Sequence, residues 1–144
     1  MKAIVQRVNN AEVIINKKEV ASIKRGFLVF VAFKKGDSEE KIQELANKIL
    51  NLRIMADEHD KINLSLKDVA GEILVVPEFT LYADTSQRRP YFGQALESDI
   101  AKEYFEKFIA LLNESGLKIA SGVFGAMMKV YLENDGPATI ILEN

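Results

Sequence analysis

The 144-residue sequence has no cysteine and a single histidine, and both shortages narrow the chemistry open to it. Without cysteine there is no disulfide, no thiolate metal site and no cysteine nucleophile, and such a composition suits a reducing compartment. Any Ser-His-Asp triad would have to pass through His59. That residue lies in Asp57-Glu58-His59-Asp60-Lys61, a polar stretch that reads as a hairpin loop, and no second histidine stands at ligand spacing, so a solvated side chain is expected. There is no run of eighteen apolar residues and no basic, apolar leader, so neither a membrane span nor a signal peptide is expected and the location follows as cytoplasmic. A glycine-rich phosphate loop, a nucleophile elbow and paired metal ligands are also missing; the expectation is no cofactor and no metal. The formal charge of −2 leaves no positive excess with which to wrap nucleic acid nonspecifically. A protein that grips only the end of a nucleic acid needs no such excess.

What the sequence does have is strand pattern. Its 48% hydrophobic content is enough for a core, and its length fits one domain over residues 1–144. Residues 2–8 alternate, with Ala3, Val5 and Arg7 on one face, and residues 12–15 and 20–23 flank a hairpin signal at Asn16-Lys17-Lys18. The nearly unbroken apolar run 26–33 predicts a strand buried on both faces. Asp37-Ser38-Glu39-Glu40 has a capping aspartate followed by acids, and Ile42, Leu45, Ala46, Ile49 and Leu50 then recur at helical spacing. Residues 52–56 and 63–66 read as short extended pieces, 72–81 as a long strand interrupted at Pro77, and 84–92 as an exposed loop. A second helix is expected from Ser98-Asp99 to Gly116, with Ile100, Tyr104, Phe105, Phe108, Ile109 and Leu112 inward. Residues 117–121, 126–133 and 138–142 complete the strands. The fold class is therefore α+β, a curved, mostly antiparallel sheet with two main helices outside it.

Two proline positions interrupt this pattern. Pro77 falls inside a strand-like run, and Asn134-Asp135-Gly136-Pro137-Ala138-Thr139 separates two others, which by turn chemistry alone is a hairpin. A Gly-Pro step can also bring bare carbonyl oxygens close to a ligand.

The order and spacing of several strings along the whole chain resemble the D-aminoacyl-tRNA deacylase family: Ala3-Ile4-Val5-Gln6-Arg7-Val8, Asn51-Leu52-Arg53-Ile54, Phe79-Thr80-Leu81-Tyr82-Ala83-Asp84, Arg89-Pro90-Tyr91-Phe92, Gly122-Val123-Phe124-Gly125-Ala126-Met127-Met128, and the Asn134–Thr139 stretch. The resemblance implies a barrel-like sheet assembly in a homodimer that hydrolyses the ester joining a D-amino acid to the terminal ribose of tRNA. It implies that Phe79 and Thr80 lie at the scissile ester, with backbone N–H groups nearby, and that Phe124 and Met128 hold the terminal adenosine. It further implies a cis Gly136-Pro137 peptide whose carbonyls reach across the dimer to the substrate's α-ammonium, with Arg7 as its buttress. From the residues alone, Phe79 and Thr80 are strand residues, Phe124 and Met128 core residues, and Arg7 a charged strand residue. An activated ester does suit a chain so poor in acid-base side chains, because positioning and backbone donors can carry much of its hydrolysis. If carbonyls fix the α-ammonium and a wall excludes one substituent direction at Cα, chirality is read without regard to the side chain, and glycine would also be accepted.

One departure stands at Pro77-Glu78, where the family usually has Ser-Gln. Proline brings no hydroxyl and no N–H, so it is expected at an edge or bulge. Glu78 is expected at the rim of the site, held by a cation or by backbone donors, with deacylation preserved. The same departure leaves two rivals open: a deacylase of relaxed chirality acting on L-aminoacyl-tRNA, and a noncatalytic dimer that binds RNA ends.

Overall fold

A computed structural model describes residues 1–144. Its strands are β1 (Lys2–Ile15), β2 (Lys18–Ile23), β3 (Gly26–Ala32), β4 (Met55–Ala56), β5 (Ile62–Leu64), β6 (Glu72–Pro77), β7 (Ile119–Ser121) and β8 (Lys129–Glu143), and its helices are α1 (Glu39–Leu50) and α2 (Ser98–Asn113). Asn16 and Lys17 join β1 to β2 with φ of 50° and 66°, the doubly left-handed turn whose twist matches a tight hairpin. The predicted strands 2–8 and 12–15 are one continuous β1. Irregularities in its pairing with β8, between Gln6 and Val8 and between Val8 and Asn10, change which face turns inward. Ala3 and Val5 therefore join one core, and Val8, Ala11 and Val13 another.

The main sheet runs β2-β1-β3-β6-β7, with β8 along the other edge of β1. The three pairings of β1 are antiparallel; β3 with β6 and β6 with β7 are parallel. Parallel neighbours require long crossovers, and these carry α1 and α2 to one face of the sheet. There Phe27, Val29, Val31, Ile73 and Val75 meet the inward stripes of both helices. On the opposite face Leu28, Leu74 and Val76 pack with Val8, Val13 and Ile23. Because β2 also touches β6 and β7, the sheet curls into a nearly closed barrel. The run at 26–33 is apolar because both faces of β3 are covered, as its pattern predicts.

Several local expectations are corrected. Asp37 does not cap α1: Ser38 holds the cap position without a side-chain bond. Asp37 is buried instead, one carboxylate oxygen accepting from the Met1 ammonium at 2.9 Å and the other from the Lys34 N–H at 2.8 Å. A buried ammonium without an anion costs more than an uncapped helix end, so the ammonium takes the carboxylate. On α2 the inward stripe is Ala101, Phe105, Phe108 and Leu112, while Ile100 is exposed. The strand expected to reach residue 81 stops at Pro77, and Phe79–Tyr82 forms a 3-10 turn. Nor does Pro77 lie on an edge strand. It ends a central one, beyond the last pairing of β6 with β7 at Val75, so the N–H it lacks faces no ladder acceptor. Finally, Gly136-Pro137 is no hairpin. It sits within the single strand β8, where the pairing skips from Asn134 opposite Val8 to Thr139 opposite Gln6.

Candidate active site

Beyond the carboxyl ends of parallel β3 and β6 the chain leaves the sheet, and a cleft opens there. It holds a cavity of about 630 Å³. Its walls come from the ends of β3 and β6, from the segment leading into β8, and from the start of α2 with Ala95 and Leu96 before it. Pro77, Glu78, Phe79, Phe124 and Met128 all line it, and Glu78 is the sole ionisable side chain among otherwise mostly apolar walls.

Each of these residues has a local cause for its place. The Gly122 N–H donates to the Val75 carbonyl at 2.8 Å, which ties the segment to β6. A Cβ on Gly122 would lie 2.6 Å from the Met128 sulfur, so glycine here is what lets Met128 fold back toward the cavity. Phe124 leans on Phe105 of α2, ring centroids 6.0 Å apart. Phe79 stands 57% exposed at the cavity rim, edge-on to Phe92 at 5.1 Å.

Glu78 anchors the turn that follows β6. Its N–H donates to the Val31 carbonyl at 2.9 Å. Its carboxylate accepts the Thr80 N–H at 3.2 Å and, on the same oxygen, the Thr80 hydroxyl. No cation lies within ion-pair distance of it, so backbone and hydroxyl donors hold it. The Leu81 N–H closes on the Glu78 carbonyl at 3.2 Å; the Phe79 N–H, at the first position of the turn, has no acceptor inside it. Behind the turn Tyr82 is buried with Lys2 and Lys34 near its ring, at 4.9 and 5.7 Å from the centroid, and its hydroxyl has no hydrogen-bond partner. Burial first, then the nearby Asp37 and Glu143, push that hydroxyl's pKa above the ordinary tyrosine value.

A second cluster lies elsewhere. Arg7 is buried on β1; its Nε donates to the Asp135 carbonyl at 3.1 Å and sits 2.8 Å from the Asp135 carboxylate, while a terminal nitrogen donates to the Ile54 carbonyl at 2.8 Å. In return the Asn134 amide donates to the Arg7 carbonyl at 2.9 Å. The next residues, Gly136 and Pro137, are exposed and joined by a cis peptide. Gly136 and Pro137 line no wall of the 630 Å³ cavity in their own chain. They lie opposite β1 near Arg7, whereas the 3-10 turn is reached by Lys2, roughly 16 Å away along β1 at the usual rise per strand residue.

The structure thus brings Glu78, Phe79, Phe124 and Met128 to one cavity and attaches Thr80 to it through Glu78. It places Arg7, Gly136 and Pro137 apart. His59 is exposed on its loop beside Glu58 and lines no wall of the cavity. The wall contributed by Leu96, Ser98 and Ala101 carries no sequence signal, because it exists only once α2 is laid over β3. No three metal-ligating side chains converge, and no helix is long and apolar enough to cross a membrane.

The model of the D-Tyr-tRNA(Tyr) deacylase family matches residues 4–143. The D-aminoacyl-tRNA deacylase of Aquifex aeolicus is 52% identical over 145 residues, covering all of this chain and 98% of its own length. That of Thermotoga petrophila is 51% identical, with coverage of 100% and 97%. Among solved structures, the c-Myc DNA unwinding element binding protein is 36% identical with a TM-score of 0.95, covering 100% of this chain and 99% of its own. A probable eukaryotic D-amino acid tRNA deacylase, 19% identical with a TM-score of 0.86 over 98% and 97% of the two chains, shares the fold.

Proposed function

Because the chain belongs to the D-Tyr-tRNA(Tyr) deacylase family, we propose that the cavity at the end of β6 is where it hydrolyses the ester of D-aminoacyl-tRNA, releasing free D-amino acid and tRNA. One observation carries the assignment of the site: the 3-10 turn of Phe79–Tyr82 and the Phe124–Met128 segment, distant in sequence, face one apolar cavity. The adenosine enters between Phe124 and Met128, whose ring and thioether offer the flat, polarizable contacts a base prefers. The ester carbonyl then lies at the mouth of the turn. Water attacks its carbon, and the developing oxyanion is received by the Phe79 N–H, the donor the turn leaves unused. A single such donor lowers the barrier by about 3 kcal/mol. Collapse breaks the bond to the ribose oxygen, which takes up the proton that the attacking water gives up.

The substrate's α-ammonium needs acceptors, and the one anionic side chain the cavity offers, Glu78, is engaged with Thr80. The carbonyls of Gly136 and Pro137 from a second copy fill that need, so the working unit is a homodimer. In support, Gly136-Pro137 is exposed, anchored by Arg7, and remote from the cavity of its own chain; β8 pairs only with β1, and Tyr131, Leu132 and Ile141 are exposed on it. Glycine passes the same filter, so glycyl-tRNA is a second substrate. The enzyme works in the cytoplasm, with residues 1–144 as one domain, and needs no cofactor.

Two experiments test this. Release of D-tyrosine and glycine, but not L-tyrosine or L-alanine, from the matching charged tRNAs is expected. Equal release of the L-forms would establish the relaxed-chirality reading, and binding without any release the noncatalytic one. For the shared site, a chain with Phe79→Asp is mixed with a chain with Pro137→Asp. If both homodimers are inactive, two-fold symmetry predicts that the mixture regains about a quarter of wild-type activity; none regained would sink the cross-subunit arrangement.

A further inference from the structure

We propose that Glu78 is a positioning residue that fixes Thr80 as a hydrogen-bond acceptor toward the attacking water, an inference that rests on the deacylase reading of this cavity. An ionised carboxylate can only accept, so in the contact between Glu78 and the Thr80 side chain the hydroxyl must be the donor. A threonine hydroxyl has one proton. With that proton committed to Glu78, the lone pairs of the Thr80 oxygen are all that remain for anything that enters, and a water molecule presented to them points a lone pair of its own away from Thr80.

The same carboxylate oxygen also holds the Thr80 N–H at 3.2 Å, so backbone and side chain of Thr80 are set by one group. That arrangement decides between two roles for the turn's amides. The Thr80 N–H is spent on Glu78 and cannot also serve an oxyanion, which leaves the Phe79 N–H as the donor of the turn. It also weakens the electrostatic objection to a carboxylate in this place: the net charge remains, but two donors on one oxygen draw it toward Thr80. Glu78 is itself fixed by its N–H bond to Val31, on the strand that forms the facing wall of the cavity.

An acceptor is what this role requires, and a negative charge is not. Glu78→Gln keeps a carbonyl oxygen at the same reach and should retain kcat within about tenfold, whereas Glu78→Ala should lower kcat by more than that with KM for the charged tRNA little changed. Acting through Thr80 also predicts non-additivity: Glu78→Ala with Thr80→Val should be no slower than Thr80→Val alone. The readout independent of turnover is hydrogen exchange at the Thr80 amide, which should be protected in wild type and Glu78→Gln and fast in Glu78→Ala. A wild type inactive on every D-aminoacyl-tRNA but with this exchange pattern would overturn the deacylase reading and leave the clamp. Equal exchange in all three proteins would overturn the clamp itself, and a Glu78→Gln as slow as Glu78→Ala would replace it with a requirement for charge.

Discussion

Replacing Arg7 with methionine should destabilise the fold and loosen the Gly136-Pro137 segment together. Methionine keeps much of the apolar stem and removes the guanidinium, so what is lost is the set of polar contacts. Two of these differ in weight. The Asp135 carboxylate is 32% exposed, and its ion pair contributes about 1 kcal/mol or less once solvent screening is counted. The Ile54 carbonyl is bonded in a buried setting, and leaving it without a donor costs about 1–3 kcal/mol. The total of about 1–4 kcal/mol corresponds to a fall in Tm of roughly 3–13 °C for a chain of this size. Denaturant and thermal unfolding at fixed protein concentration measure it, since a dimer's Tm moves with concentration. Deacylation should fall further than the folded fraction does, because the Asp135 carbonyl that Arg7 holds immediately precedes Gly136. Arg7→Lys should be intermediate, as a single ammonium cannot span both Asp135 and Ile54. An Arg7→Met protein within 0.5 kcal/mol of wild type, and equally active, would refute both the energetic weighting and the buttress.

Thr80→Ala should slow turnover without abolishing it, since the Phe79 N–H and the cavity walls remain; trapping an acyl group on Thr80 would make it a nucleophile and overturn this. His59→Ala should change kcat/KM less than about tenfold, or roughly 1.4 kcal/mol, and a larger loss would require a histidine-dependent step. Tyr82→Phe removes a buried hydroxyl that has no partner, so unfolding measurements should show stability unchanged or raised by about 1 kcal/mol. Destabilisation of that size would mean the hydroxyl has a partner in solution.

How far the sequence could carry these conclusions depended on whether a signal was local. The continuous apolar run of β3 and the 3.6-residue stripe of α1 are written into the residues that form them, and both fold as their pattern predicts. Phe79–Tyr82 is not legible, because FTLY after ILVV reads as more strand; β6 ends with its last pairing, Pro77 opposite Val31 of β3, and with the turn that Glu78 caps beyond it, a tertiary event. Asp37 departs from its local pattern for the same kind of reason, its partner being an ammonium 36 residues earlier. The shift of the α2 stripe from Ile100 to Ala101 follows from how α2 meets the cavity wall, which no window of sequence contains. The site divides in the same way. Individual residues were identified by their strings, whereas the Glu78 clamp on Thr80 and the separation of Gly136-Pro137 from the cavity needed the folded chain.

The departure at Pro77-Glu78 is best understood as one change rather than two. A serine at position 77 would stand one residue before the cap residue Glu78, where its hydroxyl could accept from an N–H of the 3-10 turn. Proline cannot, although it fits the backbone: its missing N–H faces past the end of β7, and Glu78 follows at φ −146° and ψ 82°, outside the helical region. With no hydroxyl at position 77, the side-chain oxygen of residue 78 is the acceptor left for the Thr80 N–H, and the Glu78 carboxylate supplies it. This coupling predicts an asymmetry. Glu78→Ala should cost stability and turnover in the Pro77 background, because the Thr80 N–H then has no protein acceptor, a loss of about 1 kcal/mol by the usual weight of a cap. In a Pro77→Ser background the same substitution should cost measurably less, since the new hydroxyl can take over. Unfolding free energies and kcat for the four proteins of this cycle give the coupling directly. If the two Glu78→Ala losses are equal, position 77 does not compensate for position 78, and the pair changed independently.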